Sequence, residues 1–230
     1  MIEELLPESV VAVEAHAEDM AVAAEGIELF PEEETVVARA VLKRRREFTV
    51  VRGCARRAME KLGVAARPIL PGERGAPGWP EGLTGSMTHC EGYAAAALVR
   101  SGDLASLGID AEPHNVLPEG VLEAIALPAE EARLRRLTAD HPTVHWDRLL
   151  FSAKESVYKA WFPLTGRWLD FSEADIEVTV EPGGQRGALR AELLVPGPVV
   201  KGRPLTAFDG RWIVRRGLVV TAVSVPFPTE

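Results

Sequence analysis

Cysteine is scarce in this sequence: Cys54 and Cys90 are the only two among 230 residues. Neither belongs to a CxxC or to a Cys/His group at ligand spacing, which argues against a disulfide framework and a zinc site. Both read as small buried thiols. Long apolar runs are missing as well. Nothing approaches the roughly 18 residues a membrane helix needs, and the first ten residues, MIEELLPESV, are acidic where an export signal is basic and then apolar. A cytoplasmic protein with no membrane partner is the expectation. Positive charge is in deficit, 26 Lys and Arg against 34 Asp and Glu for a formal net of −8, so general affinity for nucleic acid is not expected. What is present, 47% hydrophobic and 26% charged residues, suits a soluble globular chain with a real core, built as one domain or two closely packed halves.

After a first strand in VVAVEAHA, the stretch FPEEETVVARAVLKRRREFTVVRGCARRAMEKLGV reads as a long helix broken at most once. Pro31 and the acids at 32 to 34 suit its start, and Gly63 its stop. Val41, Phe48, Val51, Ala55, Ala58, Met59 and Leu62 recur at helical spacing and form the expected buried stripe. RPILPGERGAPGWPEGLTGSMTHCEG is dense in Gly and Pro and reads as an ordered loop. YAAAALV and SLGIDAE are strand-like, while PAEEARLRRLTAD and WDRLLFSAKESVYKAWF are helical. In the last third ADIEVTV, ALRAELLV and a hairpin turning near Arg216 and Gly217 predict antiparallel strands. The order of elements predicts an α+β architecture of two packed halves.

Asp110 and Glu112 close a strand two residues apart, so both carboxylates point to one face and repel unless a cation lies between them. Mg²⁺ takes such oxygen ligands and keeps positions for waters and phosphates. On the helical wheel of 146 to 162, Leu149, Leu150, Ala153, Val157, Ala160 and Trp161 fall within about 60° of Trp146, the arc of a core stripe. Glu155 and Lys159 lie opposite, one turn apart, and Lys154 at the edge. That pair reads either as a solvated i,i+4 salt bridge or as one wall of a cleft. Ser156 to Lys159 also spell the SxxK of serine acylases, but SDN and KTG are absent. Upstream, Arg45, Arg52 and Arg56 fall within about 40° of one another with Arg44 on their flank, a basic face able to grip a compact anion. His89 lies in the Gly-rich segment GSMTHCEG.

In order, these segments resemble the Sfp-type 4′-phosphopantetheinyl transferases, especially the enterobactin-synthetase component D branch. The family's Gly-Ile/Val-Asp-x-Glu motif appears as GIDAE at 108 to 112, and its Phe/Trp-Ser/Cys/Thr-x-Lys-Glu-Ser/Ala-x-x-Lys motif as FSAKESVYK at 151 to 159. The branch's arginine helix, GxPxWP loop and GSxTHC segment appear as RRREFTVVRGCAR, GAPGWP and GSMTHC, followed by WFPLTGRW. The resemblance implies an α+β fold of two similar α/β halves related by a pseudo-twofold, with small antiparallel sheets and the active site at their interface. The N-terminal half, 1–110, would carry the basic helix, the Gly/Pro loop and the 3′-phosphate site of coenzyme A; the C-terminal half, 111–230, would carry the KExxxK helix. It implies a cytoplasmic monomer that moves the 4′-phosphopantetheine arm of coenzyme A onto a serine of an apo acyl, aryl or peptidyl carrier protein, as in siderophore, polyketide or nonribosomal peptide synthesis, releasing adenosine 3′,5′-bisphosphate. Mg²⁺, or Mn²⁺ in its place, would be held by Asp110, Glu112 and Glu155. Glu155 would also be the general base, directly or through a water, and Lys159 would stabilise the pyrophosphate. Lys154 would contact the phosphates or the pantetheine arm, and Arg44, Arg52, Thr88 and His89 the 3′-phosphate, with Arg74 standing where many relatives carry a lysine. Two other readings of the same residues are a non-catalytic CoA- or nucleotide-binding module and a Mg²⁺-dependent hydrolase of CoA pyrophosphate.

Overall fold

The computed structural model describes residues 1–18 and 20–228. In chain order the first half comprises β1 (Val11–His16), α1 (Met20–Ala24), α2 (Pro31–Val37), α3 (Leu42–Lys61), β2 (Leu83–Cys90) and β3 (Tyr93–Arg100). The second comprises β4 (Ser106–Pro113), α4 (Val121–Ile125), α5 (Pro128–Asp140), α6 (Trp146–Thr165), β5 (Ala174–Val180), β6 (Arg186–Leu193), the short β7 (Val199–Val200) and β8 (Arg203–Pro204), then β9 (Ala207–Arg215) and β10 (Leu218–Val225). A three-stranded sheet runs β1-β3-β2, a five-stranded sheet β4-β10-β9-β6-β5, and β7 pairs with β8. All the ladders are antiparallel. The fold is α+β with small antiparallel sheets, and none of the described helices is long and apolar enough to cross a membrane.

Three expectations shift. The one break that the long helix allowed falls at 38–41, and Val41, assigned to the buried stripe, is 74% exposed at that turn. The segment LTGSMTHC is not loop but β2, its residues paired in register with β3 from Leu83↔Arg100 to Cys90↔Tyr93. A boundary at residue 110 would cut β4, which pairs along its whole length with β10; the chain passes from one sheet to the other in the turn at 101–105. The hairpin turn does lie at Arg216 and Gly217, both with positive φ, as a two-residue type I′ connection requires.

Alanines dominate β3 because both of its faces are covered. Ala96 and Leu98 pack on Cys54, Ala55, Ala58 and Met59 of α3. Tyr93, Ala95, Ala97 and Val99 join Leu107, Ile109 and Ala111 of β4 and Ile213, Val220 and Ala222 of the C-terminal sheet. Small side chains let helix, sheet and sheet stack closely. Between β2 and β4 side-chain hydroxyls stand where a ladder would: Ser86 Oγ accepts from Ile109 N at 3.0 Å and Thr88 Oγ1 from Ala111 N at 3.2 Å. On the other side of β4 lies α6. A Cβ on Gly108 would sit 1.9 Å from Ser156 O, so only glycine permits this approach.

Each half contains the same buried device. Pro31 opens α2 and Pro128 opens α5, and two residues later Glu33 and Glu130 cap the preceding backbone, accepting from Phe30 N at 3.1 Å and Leu127 N at 2.7 Å. Both glutamates reach on to a distant amide, Ile69 N at 2.9 Å and Ile176 N at 2.8 Å. Each then pairs with a cation of the long helix, Arg56 on α3 and Lys154 on α6. Glu33 and Glu130 are 0% and 1% exposed, so the pairing is what keeps two charges tolerable in the interior.

Candidate active site

A cleft of roughly 740 Å³ lies between the halves. From the first half α3 contributes Arg44, Phe48 and Arg52, β2 contributes Ser86 and His89, and the loop before β2 contributes Arg74 and Trp79. From the second half α6 contributes Glu155, Tyr158, Lys159 and Phe162. Glu155 and Lys159 thus face a cleft wall, while Leu149, Leu150, Ala153 and Val157 on the opposite face of α6 are buried in the core. Ser156 of the SxxK string is fully buried with Oγ donating to Ala153 O at 2.9 Å, which leaves no exposed nucleophile there.

Of the three acids Glu155 lines the cleft, and Asp110 on β4 lies within electrostatic reach of both Glu155 and Glu112. Asp110 is 4% exposed. Its Oδ1 accepts from Lys159 Nζ at 2.7 Å and from Thr88 Oγ1 at 3.4 Å, whereas Oδ2 is buried without any hydrogen-bond partner. Glu112 Oε2 accepts from Arg148 Nη1 at 3.0 Å. Burial, reinforced by the Asp110 charge and opposed by Arg148, pushes the Glu112 carboxyl above its ordinary range. Glu155 is raised too, by burial first and by Asp110, against the pull of Lys159. The Asp110 charge thus raises the proton affinity of both neighbouring carboxyls, a field that a divalent cation would relieve. Among the described residues no three His, Cys, Asp or Glu side chains are drawn together tightly enough to form a metal cluster.

At the other end Arg44 Nη1 meets His89 Nε2 at 2.6 Å, and the Arg52 guanidinium lies 3.5 Å over the Phe48 ring while donating to Ile69 O. Burial pulls Arg52 down to about 10, which leaves it charged at neutral pH. The helical wheel favours Arg45, but Arg45 pairs with Glu34 and lies outside this cleft; Arg44 is the one inside. Arg74, at φ 52, sets its guanidinium 5.3 Å over Trp168 of the second half.

Two expected ligands are engaged by the protein itself, although Lys154 also lines the slot beside Glu155. The Lys154 amine has each of its three protons directed to protein oxygens, Glu130 Oε2 at 2.9 Å, Phe171 O at 2.6 Å and Ala174 O at 2.9 Å, so it is a core anchor with no donor left for coenzyme A. Thr88, 4% exposed, serves β4 and Asp110 rather than an anion beside His89. Sequence reasoning also missed residues that the site contains. Arg148 is seven positions before Glu155 and therefore on the same face of α6, a signal that was available. Tyr158 packs on Trp168 with ring centroids 4.9 Å apart, and with Leu169 and Phe171 these two line a slot of about 210 Å³ opening beside Glu155. Only the fold brings residues 168 to 171 to that place.

Residues 32–99 match the family model described as the 4′-phosphopantetheinyl transferase N-terminal domain, and residues 106–194 the model of the 4′-phosphopantetheinyl transferase superfamily. The 4′-phosphopantetheinyl transferase Svp of Streptomyces mobaraensis is 60% identical over 87% of this chain and 80% of its own length. PptT of Mycobacterium tuberculosis is 52% identical over 86% of each chain. The enterobactin synthase component D of Salmonella typhi is 33% identical over 52% of this chain and 49% of its own. Two matched segments that meet at the 101–105 turn, and relatives of this identity spanning most of both chains, make the chain a member of the 4′-phosphopantetheinyl transferase superfamily.

Proposed function

We propose that this cytoplasmic, monomeric enzyme transfers the 4′-phosphopantetheine group of coenzyme A to a serine of an apo carrier protein in the cleft between its halves. The single observation that carries the chemistry is the inner wall, where Asp110 with its unpartnered buried Oδ2 stands beside Lys159 and within electrostatic reach of Glu155. In this reading Arg44, Arg52 and His89 grip the 3′-phosphate of coenzyme A, Arg74 covers the mouth, and the slot of Tyr158, Trp168, Leu169 and Phe171 takes the pantetheine arm. The two halves are then related by a pseudo-twofold, which the repeated Pro-x-Glu device supports.

The oxygen donors and the orphaned Asp110 Oδ2 suit Mg²⁺ or Mn²⁺, and Asp110, Glu155 and Glu112 would hold it. Bound there, the ion would neutralise charge on the pyrophosphate. Lys159, fixed by Asp110 Oδ1 and Ile109 O, points its charge at the same group. Glu155 faces the cleft and would take the proton from the carrier serine directly or through a water; beside a bound cation its carboxylate is a weaker base than in the metal-free protein. The serine oxygen then bonds to the phosphorus that carries pantetheine, and the bond to the bridging oxygen breaks to release adenosine 3′,5′-bisphosphate. Carriers of siderophore, polyketide or peptide assembly are the substrate class this implies.

Purified protein incubated with coenzyme A, Mg²⁺ and a panel of apo carrier proteins should add the mass of one phosphopantetheine to at least one of them. Glu155→Gln should lower that rate by about 10²–10³-fold with an unchanged circular dichroism spectrum. No mass gain on any carrier, or full turnover by the variant, would overturn the assignment. Phosphopantetheine released without a carrier would mark a hydrolase instead.

A further inference from the structure

Arg148 lies in the first turn of α6, and its side chain is only 13% exposed. Its donors go four ways: Nη1 to Glu112 Oε2 at 3.0 Å, Nε to Asn115 O at 3.1 Å, and Nη2 to Asn115 Oδ1 at 2.8 Å and Val116 O at 2.9 Å. Guanidinium–carboxylate pairs are frequently bidentate. Here the loop at 115–116 occupies the rest of the fork, so only one glutamate oxygen is engaged. Lys159 treats Asp110 the same way, holding Oδ1 and leaving Oδ2. Each acid of the strand motif thus gives one oxygen to a cation of α6 and keeps the other.

We propose that Arg148, by its charge against Glu112, weakens the site's hold on a divalent cation until coenzyme A is present. The inference rests on the metal reading above. Three carboxylates, Asp110, Glu112 and Glu155, face two cations, Lys159 and Arg148, so one negative charge is in excess. That is a poor match for a dication alone, and the negative pyrophosphate of coenzyme A corrects it. Ion and coenzyme A therefore bind with positive coupling, each raising the affinity of the other by the same factor. Removing the guanidinium leaves the acids more negative and relaxes the coupling.

The probe is Mn²⁺, titrated into the whole protein and followed by the electron paramagnetic resonance signal of the free ion, with and without saturating coenzyme A. Arg148→Gln should bind Mn²⁺ about tenfold more tightly than the parent when coenzyme A is absent, as loss of one nearby charge predicts, and should gain less on adding it. Arg148→Lys keeps the charge and should stay near the parent value. Equal or weaker CoA-free binding by a folded Gln variant overturns the inference, and so does a Lys variant that binds tenfold tighter, which also decides the matter if Gln does not fold. A structural role alone would lower thermal stability and leave the ratio of Mn²⁺ affinities with and without coenzyme A unchanged. If the parent binds no Mn²⁺ even with coenzyme A, the metal reading falls and takes this inference with it; if only the variants fail to differ, the metal reading stands.

Discussion

A guanidinium can only donate, so the 2.6 Å contact of Arg44 Nη1 with His89 Nε2 makes that nitrogen an acceptor. His89 is then neutral, with its proton on Nδ1 facing Glu47 Oε2 at 3.7 Å. Burial, then the Arg44 charge, holds its pKa below 6.5. The unfolded chain binds the proton more readily, so the contribution to stability is complete above the ordinary histidine pKa and is lost as pH falls through the depressed folded value. Urea midpoints measured near pH 7.5 and near pH 5.5 should therefore drop more for the parent than for His89→Gln; an equal drop would mean His89 titrates normally. Residue identities in the two motifs were legible in the sequence because acid and lysine spacings carry chemistry directly. Which arginine turns inward was not, since one position along α3 rotates a side chain by about 100° and only the packing of Phe48 and β2 settles it.

Lys154 sits inside a motif rich in functional residues, and the wheel of α6 leaves it at the edge between core and cleft. A four-carbon stem lets its amine go either way. What decides is Glu130 at the head of α5, a partner 24 positions upstream whose burial is set by tertiary packing. The clue in the sequence was the recurrence of FPEE at 30–33 as LPAE at 127–130, each ahead of a long helix carrying the matching cation. Lys154→Met should leave Glu130 charged, buried and unpaired, costing about 3–5 kcal/mol in chemical denaturation, while the KM for coenzyme A of the folded fraction stays unchanged. Adding Glu130→Gln should restore part of the loss. A raised KM with parental stability would return Lys154 to the ligand set. β2 was illegible at this scale for a related reason: its glycine, threonine and serine content reads as loop until β3 supplies the ladder and the β4 amides donate to the hydroxyls.

Across the whole molecule, the antiparallel order followed from strand alternation and turn residues, but the point where the chain leaves one sheet for the other did not. GIDAE continues a strand that looks local, and nothing near it in sequence announces β10, more than 100 residues later. Where β2 faces β4, the Ser86 and Thr88 hydroxyls take the backbone hydrogen bonds, beside the apolar core that β3 shares with β4 and β10. Ser86→Ala should strand the Ile109 amide without an acceptor, lowering stability by about 1–3 kcal/mol and speeding hydrogen exchange at Ile109 well beyond that of the β9–β10 ladder; uniform exchange across both would show that the junction is held by packing alone. On the far side of the same strand, Gly108 puts β4 backbone against Ser156 O with room for no further atom. The spacing between the strand that bears two acids and the helix that bears the third is therefore set as a hard stop sets a calibrated gap: no side chain can be compressed or swung aside to take up error. The position of the motif that carries no chemistry is the one that fixes its tolerance.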